Sequence, residues 1–246
     1  MKKQSRNSNN KRNSKRPGKS VGKKQKLIMA GIAAVILLAA IVIIVLVIVR
    51  NDKKDSENEQ RYRLGDGIVI EKASSYSGEF WEDGSDKEVK DIWQLTVTNT
   101  SDEDVQYLKI LADADGETAE FDITTLTAGS TVNVLESSAK AYPDNEQDCT
   151  YNIENLARFS QERSLHDDIF TVSVADNWIK VENHSEQDIE NDIYVYYKNV
   201  EEDDIYRGGI TYRIKIEGGL QAGESKEKQT QHFNLETSKI MNLTYE

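Results

Sequence analysis

From residue 61 onward, apolar and polar side chains alternate with a period of two, which indicates β-strands with one buried and one solvated face. The clearest example is the segment 210–216, where four apolar residues alternate with Thr, Arg and Lys. The segments 93–98, 170–174 and 193–197 repeat this alternation. Strands of this kind, separated at short intervals by Asp, Asn, Ser and Gly clusters, predict antiparallel β-sandwiches.

An internal repeat indicates that there are two of these sandwiches. The sequence NTSDEDV at 99–105 aligns with NHSEQDI at 183–189, and each copy follows a strand that begins near a tryptophan. Further along, LTAGS at 126–130 aligns with LQAGE at 220–224. Short polar side chains that bond neighbouring backbone groups explain the first block as a turn, and the Ala-Gly pair supplies a second turn. The repeat therefore predicts a duplicated β module.

One long apolar run, residues 27–49, precedes the alternating region and contains no charged residue. A helix needs about 20 apolar residues to cross a hydrocarbon core, so this run predicts a transmembrane helix that acts as a signal anchor. Residues 1–26 contain eleven Lys and Arg and no Asp or Glu, which places them in the cytoplasm by the positive-inside rule. The C-terminal side is then predicted to be extracellular.

The charge of the chain is divided sharply at the apolar run. Of 31 basic residues, eleven precede the run and Arg50 follows it, so 19 remain in residues 51–246 against all 43 acidic residues. This acidic surface disfavours nucleic acid and would attract a basic partner. The basic tail is expected to contact anionic lipids.

The repeated motifs resemble small Ig-like modules of bacterial surface proteins, the CARDB-like and FxLYD-like domains. The first copy contributes YSGEFWEDGSDKEV, TVTNTSDEDVQYLKI and GETAEFDITTL, and the second contributes IYVYYKN and GGITYRIKIEGGL. Over residues 66–246 the chain is similar to uncharacterised single-span surface proteins of clostridial, Gram-positive bacteria. The resemblance implies β-sandwiches with a binding or spacer role, and it brings no catalytic residues. Ala128 and Ala222 stand where proline is frequent in that family.

The predicted organisation has six segments. They are a disordered basic tail (1–26), a transmembrane helix (27–49), a stalk (50–60), a first β-sandwich (61–142), a connector (143–164) and a second β-sandwich (165–246). Within the connector, Ile153, Leu156 and Phe159 favour a short helix over 151–163, although the segment also fits the first strand of the second module. The predicted fold class is an all-β ectodomain of two tandem Ig-like sandwiches with one N-terminal transmembrane helix.

Motifs that carry chemistry are weak in this sequence. Ser137 and Lys140 form an SxxK pattern without the other elements of penicillin-recognising enzymes. The segment 113–117 (DADGE) resembles half of a calcium loop but lacks the EF-hand spacing, and the acidic loops 102–104 and 201–204 are candidates only for weak surface calcium binding. The three histidines are scattered, and Cys149, the single cysteine, is expected to be a buried thiol.

These observations predict no catalytic residues, no metal site, no cofactor and no small-molecule substrate. The expected function is a membrane-anchored, non-enzymatic binding or scaffolding protein of the cell envelope, with an envelope protein or the wall as its partner. The alternative is an accessory subunit of a membrane transport or secretion complex. In that case the small residues Ala30, Gly31, Ala33 and Ala34 would pack against another membrane helix.

Overall fold

The computed structural model describes residues 62–114, 116–145 and 148–245, and these residues are organised around β-strands, with a short 3₁₀ helix at Glu202–Asp204. Residues 59–246 form a compact unit. The strands are β1 (Tyr62–Gly65), β2 (Ile68–Phe80), β3 (Lys87–Asn99), β4 (Val105–Ala114), β5 (Glu117–Leu126), β6 (Thr131–Leu135), β7 (Thr150–Arg158), β8 (Phe170–Ala175), β9 (Trp178–Asn183), β10 (Ile193–Val200), β11 (Tyr206–Ile216), β12 (Ser225–Gln229) and β13 (Ser238–Thr244). The prediction of an all-β architecture is confirmed for this part of the chain.

The predicted tail, transmembrane helix and stalk lie outside the described residues. Among the residues that the structure does describe, none belongs to an apolar helix of membrane-spanning length.

The strands form two sandwiches with the same topology. In the first, the sheet β2-β3-β6 is joined at its edge by β1 and faces the sheet β5-β4-β7 across a shared core. In the second, the sheet β8-β9-β12 faces the strands β11-β10-β13. Strand β8 corresponds to β2, β9 to β3, β10 to β4, β11 to β5, β12 to β6 and β13 to β7. The duplication seen in the sequence is therefore also a duplication of strand order.

The repeated turn has the same hydrogen bonds in both sandwiches. The Asn99 side chain donates to the carbonyls of Glu103 and Leu126 at 2.9 and 3.2 Å and accepts the amide and hydroxyl of Ser101. Asn183 donates to the carbonyls of Gln187 and Leu220 at 2.7 and 3.2 Å and accepts from Ser185 in the same way. Both asparagines have no exposed surface. Each ties the end of one strand to the turn that follows it, as the sequence predicted.

A parallel strand pair joins the two sandwiches into one continuous sheet. Val132 and Asn133 of β6 pair with Tyr206 and Arg207 of β11. This produces a seven-stranded sheet in the order β1-β2-β3-β6-β11-β10-β13. Three buried residues of the second sandwich also belong to the first hydrophobic core, namely Val200, Tyr206 and Met241, and the half-buried Tyr196 packs against it.

The expected short helix over 151–163 is wrong, because Thr150–Arg158 forms strand β7, which pairs with β4. The pairing moves from Lys109 opposite Asn155 to Ile110 opposite Ile153, so Glu154 is an extra residue that forms a β-bulge. The bulge lets Ile153 and Leu156, three residues apart, both pack against the first core. The spacing that suggested a helix thus comes from a bulged strand, and the first sandwich continues past residue 142 to Arg158.

Candidate functional site at the junction of the two sandwiches

The junction contains a carboxylate from the first sandwich that bonds to the second. Glu82 lies in the connection between β2 and β3, and its side chain accepts the backbone N–H of Leu135 at 2.9 Å. It also accepts the N–H of Gly209, on β11, at 2.9 and 3.0 Å to its two oxygens. Burial raises the pKa of Glu82 to about 7, and the hydrogen bonds from Leu135 and Gly209 partly oppose this shift.

A lysine from the second sandwich makes the reciprocal connection. Lys198 on β10 has no exposed surface. It lies on the same face of the strand as Tyr194 and Tyr196, which are half-buried. Its Nζ donates to the carbonyl of Thr124, on β5, at 2.8 Å and to the carbonyl of Gly209 at 3.0 Å. Burial lowers the pKa of Lys198 to about 7, and the negative charge of Glu82 acts in the opposite direction.

Gly209 is the residue that both charged groups share. Its N–H binds Glu82, and its carbonyl accepts from Lys198 and, at 3.1 Å, from the Thr124 hydroxyl. A Cβ at this position would lie 1.9 Å from the carbonyl oxygen of Asp122, so a side chain does not fit. The absence of a side chain thus allows the two backbones to approach closely enough for the clamp of Glu82, Lys198 and Gly209 to form.

Beside this clamp lies a small cleft with aromatic and ionisable walls. Arg207 lies over the ring of Trp81 with its Cζ 4.6 Å from the ring centroid. Tyr212 and His232 stack with their centroids 4.6 Å apart, and His232 Nδ1 lies 3.4 Å from an oxygen of Asp86. Burial raises the pKa of the Tyr212 hydroxyl above its ordinary range. The cleft has a volume of about 90 Å³, which accommodates water molecules but is well below the size of a drug-sized ligand site.

The residues of the SxxK pattern have separate hydrogen-bond partners. Ser137 Oγ donates to a carboxylate oxygen of Asp122 at 2.9 Å, whereas the Lys140 ammonium donates to the backbone carbonyl of Thr118. Both residues are therefore bound to strand β5, and the hydrogen-bond partner of Ser137 is the carboxylate of Asp122.

The three histidines and the cysteine occupy different surroundings. His166 contacts the ring of Tyr245 edge-on, His184 Nε2 lies 3.1 Å from the carbonyl of Asp167, and His232 belongs to the junction cleft. Cys149 is buried, as expected. Three asparagines begin N-x-S/T sequences, the acceptor pattern for N-glycosylation: Asn99, Asn183 and Asn242. Asn99 and Asn183 are the buried turn asparagines described above, and the Asn242 side chain accepts the backbone N–H of Ser164.

The acidic loops use several of their carboxylates within the fold. Asp104 accepts the backbone N–H of Ala128 at 2.8 Å and pairs with Arg163 at 2.6 Å, and Glu103 pairs with Arg158 at 3.1 Å. Asp115, in the middle of the half calcium loop, lies outside the described residues. In the described ranges no group of three His, Cys, Asp or Glu side chains is arranged to hold a metal ion.

The sequence interpretation missed Glu82 and Lys198. One signal existed for Lys198, because it shares a strand face with Tyr194 and Tyr196, and a face with two tyrosines is suited to packing. No local pattern distinguished Glu82 from the other acidic residues of the 82–88 segment.

Comparison with known proteins adds no assignment: no protein-family model, curated protein or solved structure matches this chain.

Proposed function

We propose that this chain is a membrane-anchored, non-enzymatic binding or scaffolding protein of the cell envelope, whose two Ig-like sandwiches act as one rigid body. The observation that carries the proposal is the junction, where a continuous sheet and the reciprocal hydrogen bonds of two buried ionisable side chains, Glu82 and Lys198, connect the modules. A rigid pair of sandwiches suits the presentation of an extended surface at a fixed orientation.

Several junction contacts support this rigidity independently of the clamp. Arg163, between β7 and β8, pairs with Asp104 of the first sandwich and donates to the Met241 carbonyl of the second at 2.6 Å. Asn133 on β6 donates to Glu201 at 2.8 Å. Inter-domain interfaces without such connections normally permit relative motion, so these bonds favour a fixed geometry.

The anchor and the localisation rest on the sequence. The apolar run 27–49 and the eleven basic residues before it favour an inner N-terminus and an outer C-terminal region. In that arrangement the acidic sandwiches stand outside the membrane and attract a basic protein or a polycationic wall component.

The proposal is tested by crosslinking the full chain in its native membrane and by a pull-down with residues 59–246 alone. A binding ectodomain retains its crosslinked partner in the pull-down. Replacing Ala30, Ala33 and Ala34 with leucine should leave this association unchanged. Loss of the partner in these variants, or in the pull-down, would instead support the accessory subunit. Capture of no partner in either experiment contradicts the binding role.

A further inference from the structure

Strand β8 is an edge strand without a charged residue. The described sheets have six edge strands, and five of them carry charges that discourage pairing with another chain. These charges are Arg63 on β1, Glu117, Glu120 and Asp122 on β5, Glu154 and Arg158 on β7, Lys226, Glu227 and Lys228 on β12, and Lys239 on β13. Strand β8 has the sequence FTVSVA, and it therefore lacks the usual protection of an edge.

The first sandwich covers the equivalent edge with a strand of its own. Strand β1 pairs antiparallel with β2, with Tyr62 opposite Ile70. Ile70 corresponds to Val172, because Ile70 pairs with Val97 two residues before Asn99 and Val172 pairs with Val181 two residues before Asn183. Strand β8 has no such partner within the described residues. The first sandwich thus shows that an antiparallel strand can pair along this edge of the module.

The backbone groups of Val172 and Val174 face the open side of β8. His184 donates its N–H to the carbonyl of Ile169, which fixes the alternation of hydrogen bonds between β8 and β9. In that alternation Thr171 and Ser173 bond to β9, and the N–H and C=O groups of the two valines point away from it. The edge therefore offers four backbone hydrogen-bonding groups to an added strand.

Exposed apolar side chains lie around the turn between β8 and β9, at one end of this edge. Three large hydrophobic residues in the described ranges are more than one third exposed: Val174 at 38%, Trp178 at 40% and Leu235 at 51%. Val174 belongs to β8, Trp178 pairs with Ala175, and the amide of Leu235 is bound by Asp176. An added strand would cover part of this apolar surface.

The charges at the ends of β8 indicate the chemistry of the occupant. Asp167 and Asp168 precede the strand, Asp176 follows it, and all three are exposed. A second copy paired antiparallel along β8 would bring Asp176 of one chain towards Asp167 and Asp168 of the other, which is electrostatically unfavourable. An extended segment with Lys or Arg at both ends complements these charges instead.

We infer that the β8 edge is a docking site for an extended segment of a partner protein, which adds to the sheet as a strand with alternating apolar residues and basic flanks. The inference rests on the proposed binding role and names the surface that performs it. Main-chain hydrogen bonds provide affinity in this mode of recognition, and the alternating side chains provide specificity.

The test uses residues 59–246, which form a compact unit containing both cores, and the synthetic peptide acetyl-KKVTYTVKK-amide. Binding is measured by calorimetry, and amide hydrogen exchange is followed by NMR. Before addition the amides of Val172 and Val174 should exchange faster than those of Thr171 and Ser173, and the peptide should slow them. Val174→Pro removes one outward N–H and should weaken binding about tenfold. The control Val174→Thr keeps the N–H and the shape and should stay within about threefold.

A second set of variants changes the charge without altering the backbone. The acidic peptide acetyl-EEVTYTVEE-amide should bind more weakly than the basic one, and the double variant Asp167→Lys, Asp168→Lys should reverse this preference. Equal binding of both peptides to the unsubstituted protein, or unchanged binding by a folded Val174→Pro protein, overturns the inference. So does a dimer of the free protein that Val174→Pro dissociates, because the occupant is then a second copy. A partner captured in the membrane that leaves the β8 amides unprotected overturns this inference while the proposed binding role stands.

Discussion

The enclosed carboxyl of Glu82 should give the protein a characteristic dependence of stability on pH. Its pKa is about 7 in the folded chain against an ordinary value of 4.5. Between these values the folded chain binds more protons than the unfolded chain, so the free energy of unfolding falls as the pH rises from 4.5 to 7. At 1.36 kcal/mol for each pKa unit, the full contribution of this group is about 3 kcal/mol. Glu82→Gln keeps an oxygen acceptor for the amides of Leu135 and Gly209 and removes the titration.

The assay is urea unfolding of residues 59–246 at a series of pH values from 4 to 8, for the unsubstituted protein and the Glu82→Gln variant. Acid effects that the two proteins share cancel in the difference between their unfolding free energies. This difference should change by up to about 3 kcal/mol, with the unsubstituted protein losing stability relative to the variant as the pH rises. Glu227→Gln, on the exposed strand β12 and away from the junction, is the matched control variant. A flat difference for Glu82→Gln would refute the enclosed, protonation-dependent clamp.

Three further predictions follow from the same contacts, each measured as the free energy of urea unfolding. Asn99→Ala and Asn183→Ala should each cost about 3 kcal/mol, because each removes at least four side-chain hydrogen bonds, and the double variant should show additive costs. Gly209→Ala should cost at least about 2 kcal/mol, since its Cβ would overlap a backbone carbonyl of β5; a smaller cost would mean that the strands separate readily. Lys198→Met should abolish a rise in stability between pH 7 and 10.5, where the unfolded chain binds more protons than the folded one. A rise that persists in this variant would show that another group titrates.

The turn chemistry was predictable because it is local. Asn99 bonds to residues two and four positions along the chain, and the short polar side chains that make such turns are visible in any sequence. The same pattern at Asn183 then predicted the duplication, and the two copies have matching bonds. The period of two predicted the strands for the same reason, since burial on one face imposes alternation along the chain.

The junction was not predictable because its partners are distant and its geometry depends on the assembled fold. Glu82 and Gly209 are 127 residues apart, and nothing near either residue specifies the other. The bulge at Glu154 is a second case, since one extra residue shifted the alternation of β7 and imitated the spacing of a helix. In both cases the deciding interaction joins residues that are distant in the sequence, and the order of apolar and polar residues does not identify such partners.

The two copies of the module have diverged at the same two places. In the first copy, β1 covers the edge of β2, and the connection between β2 and β3 supplies Glu82 and Asp86 to the junction. In the second copy, no strand of the described residues pairs with the corresponding edge on β8, and the corresponding turn before β9 leads into the exposed Trp178. Only one connection of the kind that carries Glu82 is needed, because a single junction joins the two sandwiches. The second copy contributes to this junction through Lys198 on β10 and Gly209 on β11, whereas its strand β8 takes no part in it. The uncharged β8 edge is therefore the surface of the second sandwich that we propose for the docking of a partner strand.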